Sequence, residues 1–362
     1  MLRSFHIIVV SALSLAVGCS LQPGGGAPAH LGAAHQAVSG AGSVDVSVLS
    51  SANPSVFGQG VVISSQVVAD PPSGNTPTGT VTFVDTTTST TLGTATLTGS
   101  PPTATLPSNS NLTGGNHTVE ADYSGDGNFA ATVSSLDLFQ QVNSSMTSIN
   151  LTSSDLNNAV FGETITFTAT VSAVAPGSGT PSGTIAFKVD GVTKETTALD
   201  GTGSATYATA TLGFSLTGHT ITAQYFGNGN FAGDTQSLTQ VISKDETSTS
   251  VVTSTENPST YGDSVTFSAV VSSVAPGSGT PTGTVTFLDG TTVIGTGTLS
   301  AGIASLTIST LTGGDHLITA AYDGDPDFQT SDSPGDIIQD VQTASTTTMV
   351  AGCRIPLSSV SP

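Results

Sequence analysis

Apolar and polar residues alternate along 264–272, "SVTFSAVVS", so Val265, Phe267, Ala269 and Val271 share one face at the two-residue period of an extended strand. The same alternation runs through "GTVTF", with Val285 and Phe287 inward, and through "ASLTI", with Ala304, Leu306 and Ile308 inward. "HLITAAY" sets His316, Ile318, Ala320 and Tyr322 on one face. Asp289–Gly290 predicts a two-residue hairpin loop, because glycine tolerates the positive φ such a turn needs. A last strand around "DIIQDVQ" completes the set and runs straight into whatever follows. About seven short strands in roughly 100 residues, with turn residues between them, predict a sandwich of two sheets.

This pattern is written three times. Pro77, Pro181 and Pro281 open the phrases "PTGTVTF", "PSGTIAF" and "PTGTVTF". An aromatic–glycine pair stands twenty residues earlier in each copy: Phe57–Gly58, Phe161–Gly162 and Tyr261–Gly262. "VAPGSGTP" recurs unchanged at 174–181 and 274–281. A third phrase follows in each: "GNHTVEADYSGDGNF" at 115–129, "TGHTITAQYFGNGNF" at 217–231 and "GDHLITAAYDGDPDF" at 314–328. Landmarks kept in one order define three modules, 44–142, 143–243 and 244–342. Residues 344–350, "ASTTTMV", resemble the opening strand "ETSTSVV" at 246–252 before the chain departs into "AGCRIPLSSVSP". Residues 343–362 therefore read as a truncated or frame-shifted start of a fourth module, with a longer native product expected.

With these phrases in hand, "PTGTVTFLDG…IGTGTLSAGIASLTISTLTGGDHLITAAYDGD" resembles the bacterial immunoglobulin-like repeats of exported surface proteins. The resemblance covers about residues 44–342 and implies an all-β chain of three tandem Ig-like sandwiches in an elongated array. It also implies a surface location and no catalytic residues, because the repeated positions of that family are structural. The Cys–Trp–Cys core of antibody domains is absent, which limits the likeness to the bacterial branch.

Composition narrows the partners. The 362 residues carry 25 acids against 5 bases, a formal charge of −20, although only 8% of residues are charged. Nucleic-acid binding needs clustered Lys and Arg to neutralise phosphate, and a polybasic attraction to anionic lipid needs the same. Both are excluded. Cys19 and Cys353 are the only cysteines, so no module can hold an internal disulfide and each must close on its apolar core.

The first residues, "MLRSFHIIVVSALSLAVGC", place Arg3 before an apolar stretch from Phe5 to Val17, too short for a membrane-spanning helix and of the size of an export signal. Ordinary cleavage after a small residue is one reading of 1–18. The other is that "AVGC" resembles a bacterial lipobox, with Cys19 the lipidated first residue of the mature chain and Ala16 departing from the usual Leu. Residues 19–43, rich in Gly, Ala and Pro, read as a flexible tether with a reach of about 27 Å. The expected location is the bacterial cell envelope, lipid-anchored, or otherwise secreted.

Candidate chemistry is sparse. His117, His219 and His316 recur at one inward strand position, at the corner where an Ig-like domain uses a polar ring to bond back to nearby backbone. The loops "SGDGNF" and "DGDPDF" offer Asp126 and Asn128, or Asp323, Asp325 and Asp327, as oxygen ligands for calcium, but the middle copy has Asn228 in place of the carboxylate. A plain hairpin turn explains these loops equally well. No nucleophile elbow, phosphate-binding loop or zinc motif is present, so no catalytic, cofactor or metal residue is assigned. The expected role is a non-catalytic tethered stalk or adhesive surface. A dedicated module binding an extracellular protein or polysaccharide, or an accessory part of a longer exported enzyme, are the alternatives.

Overall fold

The computed structural model describes residues 41–108 and 111–346. Each predicted module is a sandwich of two mostly antiparallel sheets, as its alternating pattern requires. In the first, Ser43–Ser50, Ile63–Asp70 and Thr103–Thr105 form one sheet. The other orders Ser55–Val56, Leu138–Asn143, Gly115–Tyr123, Thr80–Asp85 and Thr90–Thr96, with Thr132–Val133 beside Gly115–Tyr123. The second module packs Thr147–Ser153, Ile165–Ala173 and Ser204–Thr209 against Val192–Ala198, Thr184–Val189, Ser215–Tyr225 and Asp234–Ile242. The third repeats the first: Thr247–Ser254, Val265–Ser273 and Ile303–Ile308 face a sheet running from Ser259–Thr260 to Thr292–Thr298. The expected all-β array of three Ig-like sandwiches is the observed fold.

Each sandwich has its own core. Phe83, Val81 and Tyr123 anchor the first, Phe167, Phe187 and Tyr225 the second, and Phe267, Phe287 and Tyr322 the third. Val265, Phe267, Ala269 and Val271 are all buried, and the residues between them are half-buried, so one sheet face meets the core and the other meets water. Leu306 and Ile308 are only half-buried, because they lie toward the end of an edge strand.

The entering chain serves both sheets. After its first strand it crosses over, and Ser55–Val56 pairs in parallel with the end of Leu138–Asn143. Val160 bridges Ser243 in the second module, and Ser259–Thr260 pairs in parallel with Val341 and Gln342 in the third. A buried glutamine clamps each crossing. Gln140, Gln240 and Gln339 donate from Nε2 to the carbonyls of Ala52, Asp155 and Glu256 at 2.9, 2.7 and 2.8 Å.

The hairpin expected at Asp289–Gly290 is displaced by one residue. Asp289 still pairs with Thr292, so the two-residue loop is Gly290–Thr291. In the second module the loop is Asp190–Gly191, both at positive φ (50° and 80°), the signature of a mirror-image type I turn. The second module has one more residue before this aspartate, Val189, and that residue takes the last strand position that Asp289 fills in the third.

Phe187 is fully buried at the centre of the middle core, and its truncation to alanine would leave a cavity there. Phe187→Ala is expected to destabilise that module by about 3–5 kcal/mol. Calorimetry of the whole chain should show one transition moved well down in temperature and the other two moved far less.

Candidate functional site

Two polar clusters recur in every module, and one set of contacts recurs at each junction. The first cluster is built on the repeated histidine. Nδ1 of His117, His219 and His316 meets an Oδ2 of Asp85, Asp190 and Asp289 at 2.7, 2.8 and 2.6 Å. Nε2 of the same rings meets the carbonyl oxygens of Thr113, Gly213 and Thr312 at 2.8, 3.0 and 2.8 Å. Both partners of each ring are acceptors, and a neutral imidazole can donate to only one of them. At His219 and His316 the imidazolium form satisfies both sides. Burial lowers the pKa of His219, but the bond and charge of Asp190 together with the Gly213 carbonyl outweigh it and leave the ring raised. His316 is likewise raised, with the Thr312 carbonyl and Asp289 overcoming burial. Asp190 is held low chiefly by His219, and Asp85 is held low by Thr88 and His117 against the effect of burial.

The backbone bond expected of these histidines is present, and the aspartate partner is what sequence reading missed. It lies on the neighbouring strand or its turn, at a position that shifts between modules, so no fixed spacing signals it. With Nε2 committed to a backbone carbonyl, the His–Asp pair has no ring nitrogen left to activate a serine.

The second cluster holds the acidic loops. Asp126 Oδ1 accepts from the N–H groups of Asn128 and Phe129 at 2.7 and 2.9 Å, and Oδ2 accepts from the N–H and hydroxyl of Thr78 at 2.7 and 2.8 Å. Asp325 repeats this with Asp327, Phe328 and Thr282. Burial raises the Asp126 carboxyl, yet these donors together hold it at about 2. Asn228 keeps the turn through Oδ1, which accepts from Asn230 and Phe231, while its Nδ2 donates to the Ser182 carbonyl at 3.0 Å. An uncharged amide does the same work, so the loop is a turn-and-clamp. Its carboxylate oxygens already face N–H and O–H donors, leaving them poorly placed as calcium ligands. Asp323 accepts only long contacts from the Thr286 hydroxyl, at 3.3 and 3.4 Å. Among the described residues no group of three or more His, Cys, Asp or Glu is arranged to hold a metal.

The clamp also explains the "P-(T/S)-G-T" phrase. Tyr123, Tyr225 and Tyr322 donate their hydroxyls to the carbonyls of Thr78, Ser182 and Thr282 at 2.7, 2.6 and 2.7 Å. Burial, with Asp126 or Asp325 alongside, pushes the Tyr123 and Tyr322 phenols far above the usual range, so both remain donors.

The junction contacts use the other landmarks. Ser178 of the second module donates its hydroxyl to the Gly58 carbonyl of the first at 2.6 Å, and Ser278 of the third donates to Gly162 of the second at 2.6 Å. The backbones nearly touch there. A β-carbon on Gly58 or Gly162 would lie 2.2 or 2.0 Å from the carbonyl oxygen of the facing serine, and both glycines have positive φ. Phe57 packs edge-on against Phe231 at 5.1 Å, and Phe161 against Phe328 at 5.3 Å. A backbone N–H completes each set: Gly114 donates to Asn230 Oδ1 at 2.7 Å, and Phe214 to Asp327 Oδ1 at 3.1 Å. At the second junction Lys244 donates to the Asp325 carbonyl and lies over the Phe214 ring. The signal for this interlock was visible as the unchanged "VAPGSGTP", but its partner belongs to the preceding module.

Cys19, the lipidation candidate, the rest of the export signal and most of the tether lie outside the described residues, as does most of the 343–362 tail.

A family model described as "Bacterial Ig-like domain (group 3)" matches residues 32–143, 151–243 and 252–342. No curated protein matches the chain. Among solved structures, the chain is similar to one from work on host cell surface retention of a 1.5-MDa bacterial ice-binding adhesin, at 15% identity, covering 83% of this chain and 99% of that one, TM-score 0.27. Fibronectin(III)-like modules of Clostridium thermocellum CbhA align at 17% identity over 54% of this chain and 94% of theirs, TM-score 0.22. The Yersinia pseudotuberculosis adhesin InvE aligns at 12% identity over 60% of this chain and 70% of its own, TM-score 0.30.

The histidine pairs set a pH dependence. His219 and His316 have pKa values raised above their ordinary 6.5, so the stability they contribute is full below about pH 6.5 and is lost as pH rises through the folded value. Asp85, Asp126, Asp190 and Asp325 are depressed below 3.8, so their contribution is full above that pH and is lost on acidification. Thermal stability is expected to peak between the two ranges. Calorimetry from pH 4 to 9 should show the decline on the alkaline side shrink in the double variant His219→Asn, His316→Asn.

Proposed function

The chain belongs to the bacterial Ig-like domain family (group 3), and from that premise we propose that it is a non-catalytic stalk of the cell envelope that spaces or presents an adhesive surface. The observation that carries this reading is the interlock repeated at both junctions. Relative motion is the default for tandem domains joined by small interfaces. Here each junction combines a glycine–serine backbone contact, an edge-on aromatic pair and a further backbone hydrogen bond. Connectors are also short, since Ser145 and Asp245 bridge Phe231 and Phe328 within a few residues of the preceding strand. Such features favour a spacer that transmits position over a string that flexes freely.

The sequence supports the anchor. An export signal ending in "AVGC" would leave Cys19 as a lipidated first residue, with the Gly- and Ala-rich tether lifting the first sandwich from the membrane. One acyl signal binds a membrane only marginally, whereas the several chains of a bacterial lipoprotein N-terminus hold it stably. The charge of −20 keeps the surface soluble and repels other acidic surfaces.

Two measurements test this. Gly58→Val and Gly162→Val together should prise open both junctions, and small-angle scattering should then report a shorter average maximum dimension and a broader ensemble. An unchanged profile would remove the case for a stiff spacer. Cells labelled with palmitate should incorporate label into the wild-type chain and not into Cys19→Ala, whose product should leave the membrane fraction. If label and fractionation are unaffected, the lipid anchor is wrong.

A further inference from the structure

The third module carries the same docking face that the first two use, and among the described residues nothing occupies it. Tyr261–Gly262 stands where Phe57–Gly58 and Phe161–Gly162 stand, and Tyr261 donates its N–H to the Gln342 carbonyl at 2.8 Å as Phe57 and Phe161 do to Asn143 and Ser243. The conformation is already that of a filled junction. Gly262 has φ +93°, beside +78° and +79° at Gly58 and Gly162, yet a β-carbon there would meet nothing within 4 Å. Tyr261 is 59% exposed, whereas Phe57 and Phe161 are half-buried against the next module.

A second position matches. Gly114, three residues before His117, brings its backbone so close to the second module that a β-carbon would lie 1.9 Å from the Gly229 carbonyl. Gly313 holds the same place before His316, and its own nearest neighbours are Thr343 and Val341 at 3.5 and 3.7 Å. The third module therefore keeps the aromatic ring and left-handed glycine of both filled junctions and the second glycine of the first, where the second module has Phe214.

The two filled junctions define the occupant. It must present a Pro-Gly-Ser-Gly-Thr-Pro loop to reach Gly262 and a turn phenylalanine to reach the Tyr261 ring. Gly179 and Gly279 in these loops have φ of +103° and +125° and lie 3.5 and 3.3 Å, at the β-carbon, from the incoming ring of Phe57 or Phe161. The first module does not meet this requirement. Its loop reads "PPSGNTP", with Asn75 where the others have Gly179 and Gly279. The modules thus differ in polarity: the first gives a docking face and lacks the standard receiving loop, and the third has both.

In both junctions the occupant is the module that follows directly in the chain, entered two residues beyond Asn143 or Ser243 through Ser145 or Asp245. Ala344 stands two residues beyond Gln342, and Thr346 then falls in line with Thr147 and Thr247, which donate to the carbonyls of Ala232 and Gln329 at 2.9 and 3.0 Å. We propose that Tyr261, Gly262 and Gly313 form a docking face for a fourth Ig-like module entered through Ala344, whose Pro-Gly-Ser-Gly-Thr-Pro loop, by the spacing of the two filled junctions, would lie beyond Pro362 in a longer form of the chain. This holds whether or not Cys19 carries a lipid.

The test replaces 343–362 of the full chain, in a Cys19→Ser background, with a second copy of 244–342. Spin labels are attached at Thr291→Cys and at its counterpart in the appended copy. Pulsed dipolar spectroscopy should give one distance distribution as narrow as that measured between the second and third modules. Replacing the appended loop by "PPSGNTP", or making Ser278→Ala in the appended copy alone, should broaden it about twofold, toward freely moving domains. Equal widths for all three chains, with circular dichroism unchanged, would overturn the proposal. So would concentration-dependent association of the unextended chain that Tyr261→Ala abolishes, which would assign the face to a second copy.

Discussion

Every sandwich in this chain is closed without a covalent tie. The only two cysteines lie at positions 19 and 353, one near either end of the sequence, so the stability of each module rests on burying alternate apolar side chains between two sheets. That constraint makes any polar group facing inward costly unless it is paired. Three buried polar clamps recur among the modules: a histidine on an aspartate, a tyrosine on a backbone carbonyl, a glutamine on the crossing strand. Each reaches between segments far apart in sequence, so it fixes how the sheets are joined where the apolar core alone would tolerate slippage. These clamps supply specificity where antibody domains rely on a disulfide and a tryptophan.

Most of the fold could be read directly from residue patterns. The two-residue period at 264–272 placed Val265, Phe267, Ala269 and Val271 correctly in the core, because a sheet with one wet face leaves its alternation in the sequence. Loop register was less legible. Asp289–Gly290 has the residues of a two-residue turn, but Asp289 stays in the strand, and whether it does so depends on the one residue that separates this copy from the second. The polar site was half legible. A histidine repeated at one strand position announced a structural role, whereas its carboxylate partner changes register between copies and leaves no constant interval.

The interlock was hidden for a different reason. "VAPGSGTP" is repeated without change in the second and third copies and was legible as a repeat marker, yet its meaning lies outside the module that contains it. Ser178 and Ser278 contact glycines of the preceding copy, more than a hundred residues upstream. The first copy has "PPSGNTP" at the equivalent place, 71–77, so its loop differs from the two that receive a preceding sandwich. Sequence differences between repeats thus report position in the string, and comparison among copies is informative where one copy alone is silent.

The crossing of the entering chain has a mechanical consequence. Ser55–Val56 and Ser259–Thr260 run parallel to the strand by which the chain leaves the same module. Tension applied between the two ends pulls those parallel neighbours in opposite directions along their length. Their hydrogen bonds are then loaded in shear and must fail together, instead of unzipping one at a time. A module joined this way resists extension more strongly than one whose end strands peel apart bond by bond.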